Sequence, residues 1–177
     1  MFRSILVCVA LMFGSIGCVR APIPITSVVH TEPTPISRQD LPTNWFEVKL
    51  SNISYGLPKD FDRLTLALSS EVLSRHHSST QNLTIDCYVR NSTTDLHEYV
   101  LDNFILPRSG KVIAVREKTT GPKPIVVVQS VDGTTSSLDF FIQNNNTIYQ
   151  LTCFGDAISL KTNSATCFKV IDTVRIQ

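Results

Sequence analysis

Residues 124–154 read PIVVVQSVDGTTSSLDFFIQNNNTIYQLTCF. Three runs in it, Pro124 to Val131, Ser137 to Gln143 and Thr147 to Phe154, are rich in β-branched and aromatic residues and predict successive strands. The last two are separated by Asn144-Asn145-Asn146, and Asn tolerates the left-handed backbone that tight hairpins demand. Lys111 to Lys118 predicts a further strand just upstream. A run of antiparallel strands therefore decides the fold, and the remaining elements are placed around it.

Working upstream, Ser92 to Phe104 predicts a helix capped by Thr94, with Asp95 and Glu98 complementing its positive end. Leu96, Tyr99, Val100 and Phe104 share one face at helical spacing, and Pro107 and Gly110 stop the element. Leu83, Ile85, Cys87 and Val89 alternate with polar residues and predict a half-buried strand. Glu71 to Gln81 is polar and Ser-rich and reads as a loop carrying His76 and His77. Strands are expected over Leu64 to Leu68 and Phe46 to Ser51, with Tyr55 to Asp60 a loop punctuated by Gly56 and Pro58. Downstream, Thr162 or Ser164 caps a short helix whose inward stripe is Cys167, Ile171 and Val174. Strands with interspersed helices define an α+β class, an antiparallel sheet of about six to seven strands with helices packed on it.

Several phrases resemble the PsbP/DcrB-like superfamily, an α/β/α sandwich around an antiparallel sheet. They are Leu57-Pro58-Lys59-Asp60-Phe61 near the start, Asp95-Leu-His-Glu-Tyr99-Val in the helix, and an ending with Cys153 closing a strand, Cys167 in a helix and Val174-Arg175-Ile176. The resemblance covers residues 45–177 or so. The opening Gly-Tyr-x-Phe-x-x-Pro-x-x-Trp string of the photosynthetic branch is absent, and the export signal described next excludes the cytosolic branch. The resemblance then implies the bacterial envelope branch, whose members are accessory or binding proteins more than enzymes.

The amino terminus has one charge at Arg3, an apolar run from Ile5 to Phe13, and Gly14-Ser15-Ile16-Gly17-Cys18. These are the parts of a secretory signal, and the run is too short for a bilayer span of roughly 20 residues. Cys18 after Ser-Ile-Gly resembles a lipoprotein lipobox, so residues 1–17 are expected to leave as a signal peptide and Cys18 to carry the acyl chains. The resemblance puts an acylated cysteine followed by Val19 rather than Asp at the outer membrane, domain toward the periplasm. Residues 18–43 contain Pro22, Pro24, Pro33, Pro35 and Pro42 and read as a disordered anchor segment. It reaches on the order of 30 Å as a coil and about 80 Å at full extension. The globular domain is expected over 44–177. The rival address is a eukaryotic secreted glycoprotein, with sequons at Asn52, Asn82, Asn91 and Asn145 of which Asn82 or Asn91 would carry glycan.

The 177 residues are 42% hydrophobic and 18% charged, and a net charge of +1 lacks the footprint of a nonspecific nucleic-acid binder. Of five cysteines, Cys87, Cys153 and Cys167 remain in the exported domain. Cys153 with Cys167 is the favoured disulfide, which would stabilise by about 3 kcal/mol in the loop-entropy model. Cys87 with Cys153, or no bridge, are the alternatives. No Cys-x-x-Cys, His-Glu-x-x-His or Gly-x-Ser-x-Gly occurs, and Ile105 and Val112 break the phosphate-loop spacing around Gly110-Lys111. No cofactor or metal is expected: His76-His77 reads as solvated loop and His97-Glu98 as an exposed helix face, while Asp86, Asp139 and Asp156 are carboxylates that only the fold could bring together. The leading expectation is a non-enzymatic binding or assembly protein contacting other envelope proteins, in a specific version an accessory lipoprotein of a secretion machine's outer-membrane core. The other class is a ligand carrier or enzyme with a sheet–helix pocket near Tyr99, Phe140 and Tyr149.

Overall fold

The computed structural model describes residues 41–65, 71–108, 111–120 and 123–177. The expected signal peptide, Cys18 and nearly all of the 18–43 segment lie outside the described residues. Among the described residues no helix is long and apolar enough to cross a membrane.

The chain runs β1 (Trp45–Lys49), β2 (Ile53–Pro58), β3 (Asp62–Arg63), β4 (Val72–Ser78), β5 (Leu83–Asn91), α1 (Leu96–Val100), a π-helical turn (Leu101–Ile105), a 3₁₀ turn (Leu106–Arg108), β6 (Val112–Thr120), β7 (Lys123–Asp132), β8 (Thr135–Asn144), β9 (Thr147–Asp156), α2 (Ala157–Asp172) and β10 (Arg175–Ile176). Two antiparallel sheets form. The larger has seven strands in the order β3-β4-β5-β9-β8-β7-β6, and the smaller has three in the order β1-β2-β10. The α+β class with helices on an antiparallel sheet holds.

The decisive stretch folds as expected. β7 and β8 meet at Gly133, whose φ is 61°, and β8 and β9 meet at Asn145, whose φ is 53°. Both are left-handed positions that Gly and Asn adopt at little cost. One face of the large sheet carries Leu83, Ile85 and Cys87 of β5, Tyr149, Leu151 and Cys153 of β9, and Leu138, Phe140 and Ile142 of β8. These pack with Leu160, Cys167, Val170 and Ile171 of α2 and with Ile53, Tyr55 and Leu57 of the small sheet. On the other face, a smaller apolar cluster of Val126, Val128, Phe141 and Ile148 lies beneath Leu96, Val100, Phe104 and Ile105.

Four expectations are corrected. Tyr55 to Asp60 is no loop: β2 runs to Pro58, because Gly56 gives room for Leu41 and donates its N–H to Thr173 Oγ1 at 2.8 Å, while Pro58 closes the strand end. Glu71 to Gln81 holds the strand β4, since Ser74, His76 and Ser78 alternate inward and Ser74 Oγ meets Tyr55 Oη at 2.7 Å. The first helix is capped by Asp95 rather than Thr94, its carboxylate accepting from the His97 N–H at 2.8 Å. The last helix starts at Ala157, not near Thr162 or Ser164, because Asp156 accepts from the N–H groups of Ile158 and Ser159 directly at the end of β9. The expected strand over Leu64 to Leu68 falls largely on 66–70, outside the described residues; the pairing that is described lies at Asp62–Arg63.

Candidate functional site: the open face of the large sheet

α1 and its following turns cover only the β7–β8 side of the second face. Away from that cluster no helix among the described residues packs on this face, and the antiparallel register builds a polar layer there in rows. Arg75 stands opposite Asp86, Asp86 opposite Thr152, and Thr152 opposite Asp139. One row along, Tyr88 stands opposite Gln150 and Gln150 opposite Phe141. Alternation explains the placement: on β5 every residue between the core-facing Leu83, Ile85, Cys87 and Val89 must face this side.

Asp86 is wholly buried and held by three donors. Arg75 donates from Nε at 2.7 Å and from Nη2 at 2.5 Å, and Tyr88 donates its hydroxyl at 2.8 Å. The bidentate geometry is the strong form of the Arg–carboxylate pair. Hydrogen bonding to Asp86 raises the pKa of Arg75. Burial first, and the bond to Asp86 second, push the Tyr88 hydroxyl up to about 12.

Asp139 is 1% exposed and also accepts three bonds. Thr152 donates at 2.6 Å and Gln150 at 2.9 Å to one oxygen, and Ser137 donates at 2.8 Å to the other. Burial nonetheless wins and raises its pKa above the carboxylate range, against the pull of these donors and of Arg108. Ser137 Oγ continues to Ser130 Oγ at 2.8 Å, and Gln150 Oε1 accepts from Arg90 Nη1 at 2.5 Å. Arg90 also pairs with Glu71 at 3.2 Å and lies 5.2 Å from the centre of the Tyr88 ring. The 3₁₀ turn brings Arg108 over the Phe104 ring at 3.9 Å. These groups floor and wall a groove of about 1080 Å³.

Asp86 and Asp139 are thus brought to one face, two strand spacings or about 10 Å apart. Asp156 is not: it caps α2, and the backbone N–H of Ser159, chief among its donors, lowers its pKa. His76 and His77 point to opposite faces of β4. His76 is 3% exposed with Nδ1 unpartnered, and burial lowers its pKa; His77 Nδ1 lies 3.1 Å from Thr84 Oγ1. The solvated-loop reading of this pair fails because the alternation that makes β4 a strand buries one ring. Among the described residues no group of three His, Cys, Asp or Glu side chains is placed to hold a metal.

The expected pocket near Tyr99, Phe140 and Tyr149 does not form. Phe140 and Tyr149 are buried beneath α2 and the small sheet, whereas Tyr99 packs on the opposite face. Cys153 and Cys167 form the disulfide, with Cα atoms 6.0 Å apart, and Cys87 is a buried free thiol. Register explains the choice, since Cys153 stands opposite Ile85 and Cys87 opposite Leu151. Burial pushes the Cys87 thiol up to about 12.

The layers and strand order define a class. The chain is similar to the solution structure of cyanobacterial PsbP (CyanoP) from Synechocystis sp. PCC 6803, with a TM-score of 0.59 and 5% identity over 81% of this chain and 98% of that one. It is also similar to a crystal structure from Bacteroides thetaiotaomicron, with a TM-score of 0.50 and 11% identity over 71% of this chain and 45% of that one. The fold is therefore PsbP-like. Neither a family model nor a curated protein matches the sequence.

Proposed function

We propose that the chain is a non-enzymatic binding or assembly factor of the bacterial envelope, held at the outer membrane by lipid on Cys18, and that it serves a secretion machine's core complex as an accessory subunit. The observation that carries the binding role is the open face. It presents the half-buried side chains of Tyr88 and Arg90 on a floor fixed from beneath, where Asp86 is held by Arg75 and Tyr88, and Asp139 by Thr152, Gln150 and Ser137. The anchor rests on the register of Cys18 behind its apolar run, and more than one acyl chain is needed for stable attachment.

The test is crosslinking in intact cells, detergent extraction through a C-terminal tag, and mass spectrometry of bait and prey. A diacylglyceryl mass on a peptide beginning at Cys18, with stoichiometric envelope partners that the variant Tyr88→Ala/Arg90→Ala loses, is the expected result. An unacylated bait overturns the anchor, and an acylated bait recovered alone overturns the assembly role.

A further inference from the structure

We infer that the outer edge of β6, with the groove between β6 and α2, docks an extended peptide segment of a partner protein. The segment carries an acidic residue flanked by apolar ones and joins the sheet as a further strand. This site lies on the α2 side of the sheet, across from the open face, and does not depend on the reading of that face.

The two ends of the large sheet differ. At one end β3 is two residues long, and so short an edge offers little main chain to pair with. At the other end β6 runs for nine residues and pairs with β7. In an antiparallel pair, alternate residues turn their N–H and C=O groups away from the partner strand. Among the described residues no strand meets that outward row on β6. A long row of this kind is a template for another chain.

A bulge aims β6 at the groove. Val112 stands opposite Ser130 and Ala114 opposite Gln129, so Ile113 is the extra residue. Val112 and Val115 both pack against the apolar cluster on the α1 side. Ile113 instead lines the groove on the α2 side, where it is 60% exposed. With Ala114 and Arg116 it walls a groove of about 400 Å³. Leu160, Ser164 and Phe168, spaced four apart on α2, form the facing wall, and Val127, Val131 and Leu138 lie between. Side chains of an added strand reach this apolar floor at every second residue.

Charge selects among such strands. Arg116 and Lys161 are the charged residues of the groove; both are exposed, and neither has an ion pair among the described residues. Lys118, next on the same face of β6, is by contrast engaged by Asp172 at 2.5 Å. No acid lines the groove, so an incoming carboxylate meets two cations without a rival. A second copy of the chain is disfavoured: a symmetric pair of β6 edges centred on Arg116 or Glu117 sets cation opposite cation. A fatty acid would suit the floor and the cations but would leave the main-chain row unpaired.

The test titrates the full chain, purified in detergent, by calorimetry with the end-blocked heptapeptide Thr-Val-Thr-Glu-Thr-Val-Thr, whose two valines and glutamate share one strand face. Companion probes replace the glutamate by lysine or N-methylate the backbone amides, and dodecanoate serves as the amphiphile. The expected result is saturable binding of the glutamate peptide with Kd below about 1 mM, about tenfold weaker for the lysine peptide and lost on N-methylation. Ile113→Ser should weaken binding by about tenfold, and Arg116→Glu should reverse the preference so that the lysine peptide binds better. Both positions are exposed, and melting curves confirm folding of the variants. No saturable binding of the glutamate peptide overturns the proposal, as does binding that survives N-methylation or a preference that Arg116→Glu leaves unchanged. Dodecanoate bound more tightly than the peptide, or a chain that sediments as a dimer until the peptide is added, would put an amphiphile or a second copy at this edge and overturns it as well.

Discussion

On β5, Leu83, Ile85 and Cys87 enter the layer made by α2 and the small sheet, and Asp86, Tyr88 and Arg90, alternating with them, floor the groove on the other side. The same strand thus serves two surfaces under different physics. On the covered face each large apolar side chain contributes roughly 1.5–3 kcal/mol by leaving water, and a neighbour's loss is felt as a cavity. On the open face two carboxylates are taken out of water, and their neighbours offset that penalty only while every partner is present. A leucine at position 86 would cost the sheet less. The polar face is therefore a poor stabilising device.

That contrast can be broken most directly at the Arg75–Asp86 pair. Asp86→Ala, which strands the guanidinium and the Tyr88 hydroxyl, is expected to cost about 3–5 kcal/mol in chemical denaturation. The double replacement Arg75→Met/Asp86→Leu is expected to restore stability to near the parent value or above it, since a packed apolar pair of similar volume needs no desolvation. A double variant as unstable as the single one would show that the polar face is structural.

Next in size is the disulfide, which staples β9 to α2 on the covered side. Cys153→Ser/Cys167→Ser closes no 14-residue separation and is expected to lose about 3 kcal/mol by denaturation. Capture of partners through the open face should be unchanged, because the disulfide lies in the core on the other face of the sheet; a parallel loss of binding would mean the two faces are coupled.

The smallest effect is the most specific. The folded pKa of Asp139 is raised, by burial first, so the native state holds its proton more tightly than the unfolded chain. The sign follows: Asp139 favours folding below the ordinary carboxylate range, and that contribution is lost as pH rises through its elevated folded pKa. Asp139→Asn is expected to flatten the pH dependence of stability from the ordinary carboxylate range upward, with little change in melting temperature at low pH. An unaltered slope would place the titration elsewhere.

Much of the covered face was legible in the sequence. Alternation over 83–89 and 124–154 and the Asn145 turn are local signals, and local signals survive in a linear reading. Cys153 and Cys167 were legible as a pair because a strand end and the following helix are neighbours by necessity. β2 was hidden because Gly56 and Pro58 look like breakers; only the fold shows that Leu41 and Thr173 approach where a Cβ would stand. β4 was hidden by its polarity, as Ser74, His76 and Ser78 are inward residues matched to polar neighbours such as Tyr55 and Asp60. The groove was legible least. Asp86 and Asp139 were visible as carboxylates, but Arg75, Arg90, Gln150 and Arg108 become a site only through a register across four strands and through a π-helical turn that re-aims Phe104 and Arg108. The alternation Thr84, Asp86, Tyr88, Arg90 was the one sequence signal that this side of the sheet is not a core.

Both ends of the described domain come to the small sheet. Leu41 lies against Gly56 of β2, and Gln177 donates its N–H to Asn52 O at 3.0 Å, beside the β2–β10 pairing. Load applied to the chain at Leu41 or at Gln177 therefore reaches the small sheet first and is borne there by main-chain pairing, one layer away from the open face.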